Sequence, residues 1–420
     1  MRAGLRALTS RGRSFLASGI AALLMAFFLG ESDLFRIGVL ITALPLLAAM
    51  VVARTRYRLS CARRLDPPRA EVGGEATVTL RLENVTRLPT GLLLIEDTVP
   101  YALGVRPRFV LDRVEPRGVR EIDYRVRSDL RGRYTIGPLS IRIADPFGLV
   151  ELTRSFTISD TLVVTPHVAA LPHVRLSGEW SGGGESRTRS VAAAGDDDVA
   201  PREYRQGDDL RRVHWRSTAR RGELMVRREE QQWQSRGALL LDTRRHAHRG
   251  EGPRSSFEVA VSAAASIGVH LAHEGLGLRL VTDQGPEHLT DSGLSYSLLD
   301  TLAVIRQSPA RSLEMGVSAL RQGGGDGLIV AVLGALEPEE ARELARLRHS
   351  SITGVAVLLD VGTWDGGGPG SADDHQAVQA VLAGYGWRIV NLPAGASIAS
   401  VWQHAANRGR YVLNPAGGPA

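Results

Sequence analysis

The 420-residue chain has no lysine: each of its 51 basic residues is arginine. No function follows from that alone, since coding bias gives the same pattern as a need for guanidinium groups. Cysteine is almost absent too. Cys61 stands alone, which excludes an intrachain disulfide framework and a cysteine-ligated zinc site, and a reducing compartment fits that count. The usual catalytic patterns are missing as well. No Ser-His-Asp order, Cys-His pair or H-E-x-x-H helix emerges. The SGGGES stretch from Ser181 to Ser186 lacks the lysine of a phosphate cradle and does not lie between a strand and a helix, so it reads as a flexible loop. What is present suffices for two or three domains, and an apolar content of 43% argues against wholesale disorder. The net charge of +6 permits contact with anionic lipid or nucleic acid without requiring either.

Two uncharged apolar runs open the chain, Ser14 to Gly30 and Ile37 to Ala53. Each is near the lower limit of about 17 residues for crossing a hydrocarbon core. The polar connector ESDLFR between them is short enough for a tight hairpin. Arg2, Arg6, Arg11 and Arg13 precede the first run, and Arg54, Arg56, Arg58, Arg63 and Arg64 follow the second. The positive-inside bias then places both ends in the cytoplasm. A second apolar run directly after the first argues against a cleaved signal peptide. Pro45 is tolerable within a span, because neighbouring groups satisfy the carbonyl it frees.

Residues 57–170 carry short alternating runs broken by Gly, Pro and Asn, which predicts antiparallel strands in a β-sandwich-like domain. Residues 171–236 form a polar, Gly-rich linker followed by a charged segment. From residue 237 to 420, buried-strand runs such as GALLLD, LGLRLVTD, DGLIVAVLG, ITGVAVLLD and WRIVNLP alternate with helical stretches. That rhythm predicts a largely parallel sheet with helices on both faces. Asp242, Asp283 and Asp360 each end a predicted strand, the edge at which such sheets hold ligands.

Two stretches carry a family resemblance: RGRYTIGPLSIRIADPFGLV (Arg131 to Val150) and REYRQGDDLRRVHWRSTARRGELMVRREE (Arg202 to Glu230). Together they resemble the bacterial family known as domain of unknown function 58. The resemblance implies a membrane hairpin, a β-sandwich-like module and a von Willebrand factor A-like α/β domain. It also implies association with MoxR-type AAA+ ATPases and transglutaminase-like membrane proteins, without an established catalytic activity. A von Willebrand A domain binds Mg²⁺ through D-x-S-x-S after its first strand, the carboxylate and hydroxyls being hard oxygen ligands. The matching stretch here is Asp242-Thr243-Arg244-Arg245-His246. Arginine and histidine replace both serines, and Arg244 brings a positive charge to the cation's position, so loss of the metal site is expected. Asp242 with Asp283 is left as a weak pair of candidate ligands.

The charged block holds the candidate interaction residues: Tyr204, Arg205, Gly207, Asp208, Asp209, Arg211, Trp215, Arg216 and Arg220. Gly207 permits a tight turn, and the two aspartates can cap a helix and pair with Arg211 or Arg212. The plainer reading is an ordered belt between domains. The sharper one is a docking surface of arginines and a tryptophan, residue types enriched in interface hot spots. Asp145-Pro146-Phe147-Gly148 reads as a structural corner. His246 and His248 could suit a transition metal, but such a pair more often lies in an exposed loop.

The sequence therefore predicts a membrane-anchored, non-enzymatic adaptor with no cofactor, whose cytoplasmic α/β domain meets a protein partner. A metal-dependent hydrolase using Asp242, Asp283 and His246 lacks a nucleophile–base pair. A nucleic-acid binder lacks a clean basic stripe, since acids interrupt the arginines in RQGDDLRR and RREEQQW.

Overall fold

The structure is a computed structural model. It describes residues 8–54, 59–87, 89–144, 147–174, 202–203, 218–220, 222–223, 225–226, 236–289, 293–323, 327–348, 352–364 and 371–406. The chain divides into two compact units, one up to His167 and a second from Val168 onward, apart from a few residues of one helix.

The first unit opens with two helices, α1 (Ser10–Leu29) and α2 (Ser32–Arg54). Both are long and apolar enough to cross a membrane, with mean hydropathies of 1.7 and 1.8. Their large side chains face outward: Phe27 and Phe28 are each 82% exposed, unlike those of a core helix in a soluble protein. Thr9 caps α1 by accepting from the Gly12 amide, and Gly30 ends it in the left-handed conformation, its N–H donated to Ala26. The second helix begins at Ser32, so most of ESDLFR forms its first turn rather than a polar loop, with Asp33 at the favourable end of the helix dipole. The hairpin link is therefore shorter than the charge pattern suggested. Where the helices meet, a Cβ on Gly19 would lie 2.3 Å from the Thr42 hydroxyl, so the approach requires glycine.

The β-rich part follows: β1 (Leu59–Asp66), β2 (Arg69–Glu71), β3 (Glu75–Asn84), β4 (Leu93–Asp97), β5 (Arg108–Leu111), β6 (Val119–Arg127), β7 (Gly132–Ile136), β8 (Leu139–Ala144), β9 (Glu151–Phe156) and β10 (Asp160–Thr165). These build sheets ordered β1-β3-β6, β2-β10-β7 and β5-β4-β8-β9. Alternation sorts the side chains: Ala76, Val78, Leu80 and Leu82 of β3 face inward against Leu93 and Ile95 of β4 and Ile141 and Ile143 of β8, in one apolar core.

In the second unit, β11 (Arg202–Glu203) and β12 (Met225–Val226) pair antiparallel around the charged block. Next come β13 (Arg236–Leu241), α3 (Ser256–His273), β14 (Gly277–Thr282), β15 (Gly285–Pro286), α4 (Leu294–Val304), α5 (Glu314–Gln322), β16 (Leu328–Leu333), α6 (Pro338–Ala345), β17 (Thr353–Asp360), α7 (Ser371–Gly384), β18 (Arg388–Pro393) and a short α8 (Ile398–Val401). The sheet order is β15-β14-β13-β16-β17-β18. All its pairings are parallel except β14 with β15. Ala238, Leu240, Ala331 and Leu358 face a core shared with α5, α6 and α7. On the opposite face, Leu239 lies near α3, where a Cβ on Gly268 would meet Leu298 at 2.3 Å. Helices therefore cover both faces, as the alternating sequence predicts. The sequence reading did not foresee α5 or the short antiparallel β15.

Candidate functional site

β13 lies between β14 and β16, so the chain winds away from it in both directions. In such a sheet the crevice for ligands opens at the carboxyl ends of the strands flanking that reversal. Asp242 follows β13 directly, Asp283 follows β14, and Gly334 follows β16. The first two candidate residues from the sequence are therefore brought to one edge, and both are buried.

Their partners decide what this edge can do. Arg244 folds back on Asp242: its Nε lies 2.9 Å from one carboxylate oxygen and one terminal nitrogen 3.0 Å from the other. Its second terminal nitrogen donates to Glu340 at 2.5 Å, and the nitrogen on Asp242 also donates to the Ala335 carbonyl at 3.1 Å. Asp242 further accepts the Arg244 amide at 3.1 Å and the Gly334 amide at 3.2 Å. Arg244 is fully buried. Burial alone would lower its pKa, but the hydrogen bonds and charges of Asp242 and Glu340 outweigh it and drive the pKa upward. The guanidinium is a fixed internal cation.

Glu340 links this cation to α6. It accepts the Glu337 amide at 3.2 Å as part of a reciprocal cap at the helix start, while its other oxygen takes Arg244. Asp283 is satisfied by neutral donors: the Thr243 amide at 2.8 Å, the Thr243 hydroxyl at 2.5 Å and the Ser308 hydroxyl. The residues do not fit a Mg²⁺ ion as they stand. Both oxygens of Asp242 are taken by a cation of the chain itself, and the nearby hydroxyls donate to Asp283.

The histidine pair separates. His246 is exposed, whereas His248 is buried rather than looped out. Its Nε2 donates to the Asp242 carbonyl at 2.9 Å and its Nδ1 lies 3.2 Å from Ser256 Oγ, so it cannot converge with His246 on one metal. Burial lowers the His248 pKa against the pull of Asp242, which keeps the ring neutral. Asp360 ends β17, away from this cluster. No group of three or more His, Cys, Asp or Glu side chains suited to a metal occurs among the described residues.

Of the charged block, Arg220 is described and exposed, in a helical stretch at 218–220. Tyr204, Arg205, Gly207, Asp208, Asp209, Arg211, Trp215 and Arg216 lie outside the described residues, as does SGGGES. Sequence reasoning missed Glu340 and Ser308. The signal for Glu340 was Pro338-Glu339-Glu340 opening an amphipathic helix, a capping pattern with nothing to connect it to Arg244.

Comparison with known proteins agrees with the charged block. Residues 200–320 match the family described as "Protein of unknown function DUF58". "Uncharacterized protein YeaD" from Bacillus subtilis (strain 168) is 25% identical over 232 residues, covering 52% of this chain and 54% of its own length. The chain thus spans about half the length of that curated relative. Among solved structures, the CARDB domain of a Pyrococcus furiosus protein is 13% identical, covering 26% of this chain and 88% of that one at a TM-score of 0.20. An Arabidopsis thaliana protein solved in solution is 12% identical, covering 24% and 78% at a TM-score of 0.18. Likeness at these scores carries no argument about function.

Proposed function

We propose that the protein is a membrane-tethered, non-enzymatic adaptor whose α/β unit receives a protein partner at the strand edge around Asp242. The observation that carries this reading is the closure of that edge by Arg244, which fills the ligand crevice with a buried ion pair and leaves Arg245, His246 and Arg249 exposed beside it. The reading of this unit as von Willebrand A-like is supported by its sheet order, in which a short antiparallel third strand lies beyond the second. The exposed apolar faces of α1 and α2 support the membrane tether. The family resemblance points to a MoxR-type AAA+ ATPase as the partner, with a transglutaminase-like membrane protein as a further member. Envelope or secreted protein assembly is the process that would use such a set, and the soluble units then face the cytoplasm.

The test is recovery of partners from a detergent extract with the hairpin intact, read by mass spectrometry. The parent should retain an AAA+ ATPase. The double variant Arg245→Ala, Arg249→Ala, at exposed positions beside the closed edge, should keep its melting temperature and lose that partner. Equal recovery by parent and variant would remove the strand edge as the docking surface. An activity of the purified chain on ester or phosphate substrates, abolished by Asp242→Asn, would replace the adaptor with an enzyme.

A further inference from the structure

The hairpin is joined to the β-rich part at one defined place. Leu8 bridges Val150, the Thr9 amide donates to the Leu149 carbonyl at 3.0 Å, and the Thr9 hydroxyl donates to the Gly148 carbonyl at 2.7 Å. A Cβ on Gly12 would lie 2.2 Å from that same Leu149 carbonyl, so the helix can sit this close only with glycine there. Leu8, Leu149 and Val150 form a small core with Leu44, Ala48 and Ala49 of α2. The corner between β8 and β9 is therefore held against the start of α1 and the last turns of α2.

Strand register shows what else shares that end. Ala144 pairs with Glu151 beside the corner, Ile143 pairs with Leu93, and Leu93 pairs with Leu111. In the other sheet, Leu59, the first residue of β1 after α2, pairs with Asn84, and Glu83 pairs with Val119. The loops at 85–92 and 112–118 leave from these same ends and touch, the Thr90 amide donating to the Val114 carbonyl at 3.0 Å. Three loops thus share the end of the β-rich part at which the hairpin is joined. They expose Phe147 (65%), Val85 (53%) and Leu92 (45%), with exposed Arg87 and Arg113 between them and Arg11 at the helix start. The described acids on the 112–118 loop are Asp112 and Glu115, and Glu115 is held by Arg120 at 2.7 and 3.0 Å. Apolar tips flanked by arginines at the level where two apolar helices emerge have the chemistry of an interfacial anchor.

We propose that this end of the β-rich part is a lipid-binding face. Phe147, Val85 and Leu92 enter the headgroup layer of the leaflet in which α1 begins and α2 ends, and Arg87 and Arg113 engage anionic headgroups. The inference rests on the reading of α1 and α2 as membrane spans and adds a second, charge-selective contact to it.

The full chain carrying Cys61→Ala is reconstituted into vesicles of phosphatidylcholine alone or mixed with phosphatidylglycerol. Nitroxide labels are placed singly at Phe147→Cys, Val85→Cys, Tyr101→Cys and Leu24→Cys, and collision with oxygen and with a nickel chelate is measured. Tyr101 is 98% exposed and follows the opposite end of β4, so it serves as the aqueous control. In mixed vesicles the labels at 147 and 85 should be shielded from nickel and accessible to oxygen, and the label at 101 should be the reverse. Removing the anionic lipid, or introducing Arg87→Gln with Arg113→Gln, should shift the 147 and 85 labels toward water by roughly tenfold or more in population. A lipid-buried label at 24 with aqueous labels at 147 and 85 overturns this proposal alone. An aqueous label at 24 overturns the membrane reading beneath it. Immersion at 147 that ignores lipid charge overturns the anionic headgroup as the ligand.

Discussion

Each unit contains a buried arginine–aspartate pair of nearly the same geometry. In the β-rich part, Arg63 meets Asp97 through Nε at 3.2 Å and a terminal nitrogen at 2.6 Å, with both side chains almost wholly buried. In the α/β unit, Arg244 meets Asp242 in the same two-pronged way. The surroundings differ. Arg63 also donates to the carbonyls of Ile136 and Ile158 at 3.0 and 2.9 Å and to Asp160 at 3.3 Å, and Tyr124 donates to Asp97 at 2.6 Å. That arginine links segments far apart in sequence and has the character of a rivet. Arg244 also reaches Glu340 and the Ala335 carbonyl, but its two-pronged partner is two positions away, at the end of a strand, where the fold would otherwise hold a ligand. The chemistry of a pair does not assign its role; its position in the topology does. Neither pair is by itself evidence of stability, since desolvation offsets much of the attraction, but breaking either deprives a buried charge of its two-pronged partner.

Two reporters let the units be followed separately. Among the described residues, Trp364, Trp387 and Trp402 are buried in the second unit, so tryptophan fluorescence reports its unfolding. Cys61, whose thiol burial pushes up to about 12, reports the first by its alkylation. The largest effect is expected for Asp97→Ala, which leaves the buried Arg63 with the partly exposed Asp160 as its remaining carboxylate partner and should destabilise the β-rich part by about 3–5 kcal/mol. Cys61 alkylation should then move to much lower urea while tryptophan fluorescence stays in place. If both reporters shift together, the units unfold as one and the comparison loses its basis.

Next is the pair Arg244→Ser, His246→Ser, which rebuilds the D-x-S-x-S pattern. It should cost about 3 kcal/mol, the lower end for a broken buried pair because Asp242 keeps the backbone amides of residue 244 and Gly334 and Glu340 is partly exposed. Millimolar Mg²⁺ should return part of this, about 2.7 kcal/mol at 100 times the dissociation constant. The parent should not respond, and a parent response abolished by Asp242→Ala would mean that Arg244 gives way to a metal. Tyr124→Phe should cost less, about 1.5 kcal/mol for one hydrogen bond to a charged acceptor. An unchanged alkylation midpoint would show that the phenol is not part of the rivet.

The smallest effect is a pH dependence. The folded pKa of His248 is lowered by burial, so below about 6.5 the unfolded chain takes up a proton that the folded one refuses. Stability of the second unit should therefore be complete above that pH and fall as pH drops below it. His270 and His375 are lowered by burial as well and contribute with the same sign. His248→Gln should flatten the acid loss measured by tryptophan fluorescence, without abolishing it. A variant with the parent's full acid loss would show that His248 contributes none of it.

Much of this arrangement was legible in the sequence, for identifiable reasons. Period-two alternation marked β3, β4, β6 and β10, and charge-free apolar runs marked both N-terminal helices. The buried runs before Asp242 and Asp283 located the strand ends correctly. Arg244 stood out because the stretch from Asp242 to His246 resembles a metal-binding motif with arginine in place of a serine. The rest depended on contacts distant in sequence. Nothing in the stretch SCARRLD announces that Arg63, rather than Arg64, is the buried one, since strand parity decides it and the strand was not foreseen. α5 was hidden because MGVSALRQ is short and follows a Pro- and Arg-rich loop. His248 reads as exposed in the sequence, whereas the fold buries its loop position with the ring against the Asp242 carbonyl.

The seam between Thr9 and Leu149 has a consequence in time. The two halves of that contact are 140 residues apart in the chain. At ribosomal speeds of about 5–20 residues per second, α1 is complete on the order of ten seconds before the corner that receives it has been made. During that interval Gly12 is an unfilled notch, and the hairpin has to hold together through its own close packing at Gly19 and Gly38. The glycines at the helix–helix contact thus serve the nascent chain first, and the corner closes over Gly12 as a later stage of assembly.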